Sequence, residues 1–337
     1  MMPAHRQWNR SIALAPVVCE LCGSNRARPV MTGPDRLLGV PGTFHVVQCE
    51  ECGLVYTNPR PTEESLPHCY VGGYSVYSPT GGQAARMRFY HDRLARRLSS
   101  QSTRSGRRVL DLGCGDGLFL EAMRARGWEA VGLEMDAGAA ARARDQRGLE
   151  VVTAALTDAH FDAGSFDLIT MSHFLEHLPH PRQAIRQIRG WLRPAGTLFI
   201  TLPNESSWER RLFGSRWYHW DLPRHLCHFD PGTLIRLLNE EGFEAQDLRF
   251  LTGLYVPQSI RYCVRRTPPA LLQTARREPG AQSGSIGLPT AGAENRTSSG
   301  LREALKSAIY RTLLIFASTS GRVIRGEILE LTALVSE

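Results

Sequence analysis

A chain of 337 residues, 42% hydrophobic and 22% charged, can bury a full core and hold more than one domain. The formal charge of +7 is carried by arginine, with Lys306 the single lysine, and it is spread along the chain. That spread argues for a solvated surface and against a dedicated nucleic-acid face. No apolar run reaches the ~18 residues of a membrane span, and Met1 to Ala15 holds no continuous apolar core for an export signal, so the expected setting is cytoplasmic.

Residues 1–60 carry two matching knuckles, Cys19-Glu-Leu-Cys22-Gly23 and Cys49-Glu-Glu-Cys52-Gly53, with 26 residues between them. A C-x-x-C turn points two thiolates at one ion, and two such turns complete a tetrahedral set of four thiolates. The expectation is a zinc ribbon with Cys19, Cys22, Cys49 and Cys52 as ligands of a structural ion; two disulfides or free thiols remain the alternative. Strand-like Phe44–Gln48 and Leu54–Tyr56 flank the second knuckle. Cys69, Cys114, Cys227 and Cys263 show no ligand spacing.

Residues 61–105 read as a connector. A turn at Asn58-Pro-Arg-Pro leads to a short helix, then to an aromatic, glycine-rich loop with Tyr70, Tyr74 and Tyr77. An amphipathic helix follows over 83–100, with Met87, Tyr90, Leu94 and Leu98 on one face.

Residues 106–252 alternate strand and helix, which predicts a mostly parallel sheet. They open on Arg108-Val-Leu-Asp-Leu-Gly-Cys-Gly-Asp-Gly117: a strand, a glycine-rich turn and then a helical pattern. Glycines there let backbone amides approach a ligand. A second strand ends in Glu134, 23 positions after Asp111, where a carboxylate reads ribose hydroxyls in a βαβ nucleotide site. Residues 253–326 interrupt the alternation. Their centre is rich in Gly, Ser, Ala, Pro and Thr and reads as a tether. Leu301, Leu305, Ala308, Ile309, Leu313 and Phe316 then share a helical face flanked by Arg302, Lys306, Arg311, Arg322 and Arg325. That 301–323 helix reads as packed on the sheet or at a dimer interface, or as a membrane-surface element. Residues 327–337 read as a last strand of the core.

With Asp111–Gly117, Glu134, Ser165–Leu178, Leu192–Asn204 and Glu241-Gly-Phe243, residues 106–252 resemble a class I S-adenosylmethionine (SAM)-dependent methyltransferase. The resemblance implies an α/β fold: a Rossmann-like, mostly parallel seven-stranded sheet, here with an N-terminal zinc ribbon and a helical insertion before the last strand. It implies SAM contacts from Asp111, Gly113, Gly115 and Glu134, an adenine contact from Leu156, and Ser172 and His173 beside the methionine portion. Ribbon, Asn-Pro-Arg-Pro, tyrosine-rich loop and SAM domain together resemble a group of bacterial sugar and natural-product methyltransferases. Leu175-Glu-His-Leu178 also resembles some quinone-pathway O-methyltransferases, which carry a glutamate where this chain has His173.

Methyl transfer needs a positioned nucleophile, excluded water and a base where the nucleophile carries a proton. Two groups offer bases. One is His173, Glu176 and His177 after the fourth core strand. The other is Trp217–Phe229, with Tyr218, His219, Asp221, His225 and His228. The catalytic expectation is His177, His225, His228, Tyr218 and Glu176. The chain therefore reads as a SAM-dependent methyltransferase acting on a small-molecule acceptor, a sugar or natural product methylated at O or C. Two other readings stay open, an RNA methyltransferase and a non-catalytic SAM-fold scaffold or partner subunit. The oligomeric state is not legible.

Overall fold

The computed structural model describes residues 12–70, 82–101, 106–252, 255–264 and 326–336. The Tyr74 and Tyr77 loop, the tether and the 301–323 helix lie outside the described residues.

The N-terminal unit is built from short strands: β1 (Leu14–Ala15), β2 (Ala27–Gly33), β3 (Phe44–Cys49), β4 (Val55–Thr57) and β5 (Arg60–Pro61). β1 pairs with β5, and β2, β3 and β4 form an antiparallel sheet. Helix α1 (Gly82–Gln101) leads into the core. The core runs β6 (Arg108–Leu112), α2 (Leu118–Arg124), β7 (Glu129–Glu134), α3 (Ala137–Arg147), β8 (Glu150–Thr153), β9 (Phe166–Ser172), α4 (Pro181–Trp191), β10 (Leu192–Pro203), α5 (Trp208–Phe213), β11 (Cys227–His228), α6 (Pro231–Glu240), β12 (Phe243–Leu251), α7 (Val256–Val264) and β13 (Ile328–Val335).

Seven strands form one sheet in the order β12-β13-β10-β9-β6-β7-β8. β8, β7, β6, β9 and β10 are parallel, while β13 runs antiparallel between β10 and β12. The inner strands are apolar without alternation because helices cover both faces. Val109, Leu110, Leu112, Ile169, Met171, Leu198 and Ile200 are all fully buried, each worth roughly 1.5–3 kcal/mol of transfer free energy. α4 presents Ala184, Ile185, Ile188 and Trp191 to the sheet, and α6 starts on an Asp230–Thr233 capping box. The strand order reverses between β6 and β9, where a doubly wound sheet opens a crevice at its carboxyl edge.

Two features were not anticipated. β2 was not expected, and β11 of the core pairs with β4, so the small sheet has the order β11-β4-β3-β2 and draws on both the N-terminal unit and the core. Thr57 joins this seam, its amide donating to the Leu226 carbonyl and its hydroxyl to that of His225. Helix α1 in turn packs Leu94, Ala95 and Leu98 among Val109, Phe119 and Leu120. Its Tyr90 hydroxyl and Arg97 guanidinium both reach Glu330 of β13, at 3.0 and 2.7 Å. Among the described residues no helix is long and apolar enough to cross a membrane.

Candidate active site and cysteine cluster

A cleft opens at the reversal point. Asp111, Gly113, Gly115, Asp116 and Phe119 line it from β6 and its turn; Thr170, Ser172 and His173 from β9; Met87, His91 and Leu94 from α1. Gly113 has φ +72°, and a Cβ there would meet the Phe174 ring at 2.6 Å, so only glycine fits. Glu134 does not line the cleft but organises its floor. One carboxylate oxygen accepts the Gly115 amide at 2.9 Å and the other accepts that of Asp136 at 2.8 Å. Burial raises its pKa. Asp111 is buried and accepts the Thr170 hydroxyl at 2.6 Å. Burial, reinforced by repulsion from Glu134, pushes its pKa up to about 7. This cradle of backbone, carboxylates and apolar walls fits a cationic nucleoside such as SAM. Leu156 sits elsewhere, in the core beneath the turn after β8, with its carbonyl accepting from Gln187.

The other end of the cleft is lined by His177, Tyr218, His219, Asp221, His225 and Tyr255. Two residues of the cleft are strained: His173 at φ 52° and Asp221 at φ 33° occupy the left-handed region. His225 Nδ1 lies 2.8 Å from the His219 carbonyl, which only accepts, so Nδ1 carries the proton of that contact. Nε2 faces Asp221 Oδ2 at 3.7 Å and Glu176 Oε1 at 4.0 Å. His177 packs edge-on against His225, centroids 4.6 Å apart, with Nδ1 3.0 Å from the Tyr70 hydroxyl and 3.2 Å from the Arg224 carbonyl. Burial and the neighbouring His225 lower the His177 pKa to about 4, so it is neutral at pH 7. Tyr218 stacks on Tyr255, and burial holds its phenol protonated.

Glu176 lies behind these rings, buried, with neither oxygen hydrogen-bonded among the described residues. Burial pushes its pKa up, but His173, His177 and His225 outweigh that and leave it below the usual carboxylate range. His228 stands apart in β11, its ring against Trp220 and outside the lining of the cleft. Of the expected catalytic set, His177, His225 and Tyr218 therefore reach the cleft directly and Glu176 supports them from behind.

Sequence reasoning missed the group that fixes this end. Arg224 is fully buried and bridges two carboxylates. It meets Asp35 at 2.7 and 2.8 Å and Asp221 at 2.6 and 3.1 Å. Asp35 also accepts the amides of Leu37, Leu38 and Val40. A loop of the N-terminal unit thus holds the Asp221–His225 segment. Tyr70, Tyr255 and His91 were missed too, and nothing in their local sequence pointed to the cleft.

The four knuckle cysteines converge, their sulfurs all within 4.8 Å of one another. Cys19 and Cys52 Sγ are 3.4 Å apart, Cys22 and Cys49 Sγ 3.5 Å. None of the four is disulfide-bonded in this structure. Gly23 and Gly53 take φ 75° and 81° and donate to the carbonyls of Cys19 and Cys49, so the two knuckles share one geometry. An ion with metal–sulfur bonds of ~2.3 Å fits this donor set. A second group, Glu176, His177 and His225, also presents one ligand atom each within 4.8 Å of the others.

Strand order, the glycine turn with its carboxylates, and a cleft at the carboxyl edge define a nucleotide-binding methyltransferase. The model of a methyltransferase-domain family matches residues 83–248, a span that leaves out the cysteine knuckles. A ubiquinone biosynthesis O-methyltransferase from Glaesserella parasuis serovar 5 is 30% identical over 159 residues, covering 42% of this chain and 67% of the relative. Another with that name from Pseudomonas aeruginosa is 31% identical over 170 residues, covering 47% and 72%. A solved SAM-dependent methyltransferase from Archaeoglobus fulgidus is 19% identical, covers 73% of this chain and 94% of its own, and superposes with a TM-score of 0.44. The chain belongs to the class I SAM-dependent methyltransferase family.

Proposed function

We propose that this methyltransferase alkylates a small-molecule acceptor, a sugar or natural-product hydroxyl or an activated carbon, seated between the cofactor cradle and the His177–His225 pair. The observation that carries this reading is the placement of His225, its Nδ1 held by the His219 carbonyl, at the end of the same cleft whose other end is the glycine cradle. The similar proteins named for O-methylation support a hydroxyl acceptor.

SAM supplies an electrophilic methyl on a sulfonium. Asp111 and the side-chain-free surface of the glycine turn would hold it, and Glu134, bonded to the Gly115 amide, keeps the turn in shape. His225 is oriented by its Nδ1–H bond to the His219 carbonyl and takes the acceptor proton on Nε2. The imidazolium that forms faces Asp221 and Glu176, whose charges offset it. Tyr218 and Tyr255 give the acceptor an apolar wall and exclude water. In this reading the cluster of Cys19, Cys22, Cys49 and Cys52 carries zinc in a structural role, since four thiolates leave no open position, and the setting is cytoplasmic.

The test uses whichever acceptor is methylated when the enzyme and labelled SAM are screened against hydroxyl-bearing sugars and phenols. His225→Ala and His177→Ala are expected to lower kcat ~10²–10⁴-fold with SAM affinity retained. Full activity in both single variants and in the double variant contradicts the base assignment.

A second reading is favoured by the clustering of Glu176 with two imidazoles: Glu176, His177 and His225 as ligands of a divalent ion that polarises the acceptor. Mild chelator treatment under which the cysteine cluster keeps its zinc separates the two: histidine base catalysis survives it, whereas metal-assisted transfer is lost and returns on adding Mg²⁺.

A further inference from the structure

We infer that the N-terminal unit contributes Arg36 to an oxyanion subsite that holds a phosphoryl or carboxylate group of the acceptor. This rests on the methyl-transfer reading and names the acceptor's second recognised group.

A narrow second cleft adjoins the main one, and Tyr218 and Asp221 line both. Its other walls include Arg36, Ser215 and Tyr262, where β2 packs on the turn at 214–216. Arg36 is half-buried and, among the described residues, has neither an ion pair nor a hydrogen bond. The cation beside it, Arg216, repels it; burial and that repulsion lower its pKa. Asp221, which also lines this cleft, is paired with Arg224 at 2.6 Å. Asp35, next to Arg36 in sequence, is committed to Arg224 as well. The cleft therefore presents a partly desolvated guanidinium that pairs with neither carboxylate, both of which are turned to Arg224.

A cation drawn from water without a counter-charge is unfavourable, and an anionic ligand reverses that balance. The loop is also fixed in advance. The three amides of Leu37, Leu38 and Val40 that bond Asp35 tie residues 35–40 into a tight turn, so Arg36 is presented with little ordering left to do. A guanidinium fork matches phosphoryl and carboxylate oxygens in pairs, which a neutral acceptor does not offer. The position makes chemical sense of the cysteine-bearing unit: it reads one end of the acceptor while the core methylates the other.

The full-length protein, saturated with S-adenosylhomocysteine, is titrated by calorimetry with inorganic pyrophosphate and, separately, with malonate. Saturable binding of one or both is expected; the tighter of the two identifies the oxyanion class. Arg36→Gln is expected to weaken that binding at least about tenfold and Arg36→Lys by less, with SAM affinity unchanged in both. Equal affinity in wild type and Arg36→Gln overturns the inference. So does the absence of binding of either anion by the wild type up to about 10 mM. A parallel SAM titration keeps the two readings apart. A wild type that binds pyrophosphate but not SAM defeats methyl transfer and leaves the anion subsite standing.

Discussion

Asp35 and Arg224, 189 positions apart in sequence, form a paired-oxygen ion bridge inside the protein, at 2.7 and 2.8 Å with both side chains fully buried. Arg224 carries the bridge on to Asp221, at the strained corner that faces His225. The N-terminal unit is thus part of the architecture of the acceptor end.

Asp35→Asn removes one of the two carboxylates that balance a buried guanidinium. The expected loss is about 3–5 kcal/mol of unfolding free energy, measured by chemical denaturation. The double variant Asp35→Leu with Arg224→Met is expected to lose less than Arg224→Met alone, which strands both carboxylates. A loss below about 1 kcal/mol in Asp35→Asn contradicts a structural role for the bridge.

Cys19→Ser or Cys49→Ser is expected to lower zinc from about one ion per chain and to destabilise the sheet that β11 shares with β4, since structural metal binding is folding free energy. Elemental analysis of freshly purified wild type, prepared without chelator, checks the premise. No zinc in that sample contradicts the proposed site.

Asp111 is expected to make cofactor binding depend on pH. Its carboxyl keeps a proton up to about pH 7 in the folded protein, against an ordinary value of 3.8. The fold therefore binds more protons than the unfolded chain between these values. The contribution of this group to stability falls as pH rises through that window and is flat above it. A cationic cofactor favours the ionised form, so SAM binding should be about tenfold weaker at pH 6 than at pH 8 and should release a proton at pH 6. Calorimetry in buffers of different ionisation enthalpy reads that proton. In Asp111→Asn the apo protein should gain stability above pH 7 and the pH dependence of binding should flatten. A wild-type affinity constant from pH 6 to 8 contradicts the assignment.

The cofactor half of the site was legible because its parts are contiguous. Strand, glycine turn and helix lie within Arg108–Met123, and Glu134 ends the next strand, so local pattern implies proximity. The cysteine pairs were legible for the same reason, each knuckle carrying its own geometry. The acceptor half depends on partners that only the fold brings together. Nothing near Asp35 foretells Arg224, and Tyr70 meets His177 across 107 positions. β11 escaped notice because two residues carry no periodicity; only pairing with β4 makes Cys227–His228 a strand. His228 looked equivalent to His225 in the linear cluster, but in this short strand its ring packs on Trp220 and lies outside the lining of the cleft.

The most direct measurement is the binding of SAM to wild type and to Gly113→Arg by calorimetry. Gly113 sits at φ +72° with the Phe174 ring 2.6 Å from where a Cβ would lie, so any side chain there deforms the turn that cradles the cofactor. The wild type is expected to bind about one SAM per chain, and Gly113→Arg to bind none while keeping its zinc. A wild type that does not bind SAM, or a Gly113→Arg variant that binds it with unchanged affinity, contradicts the account.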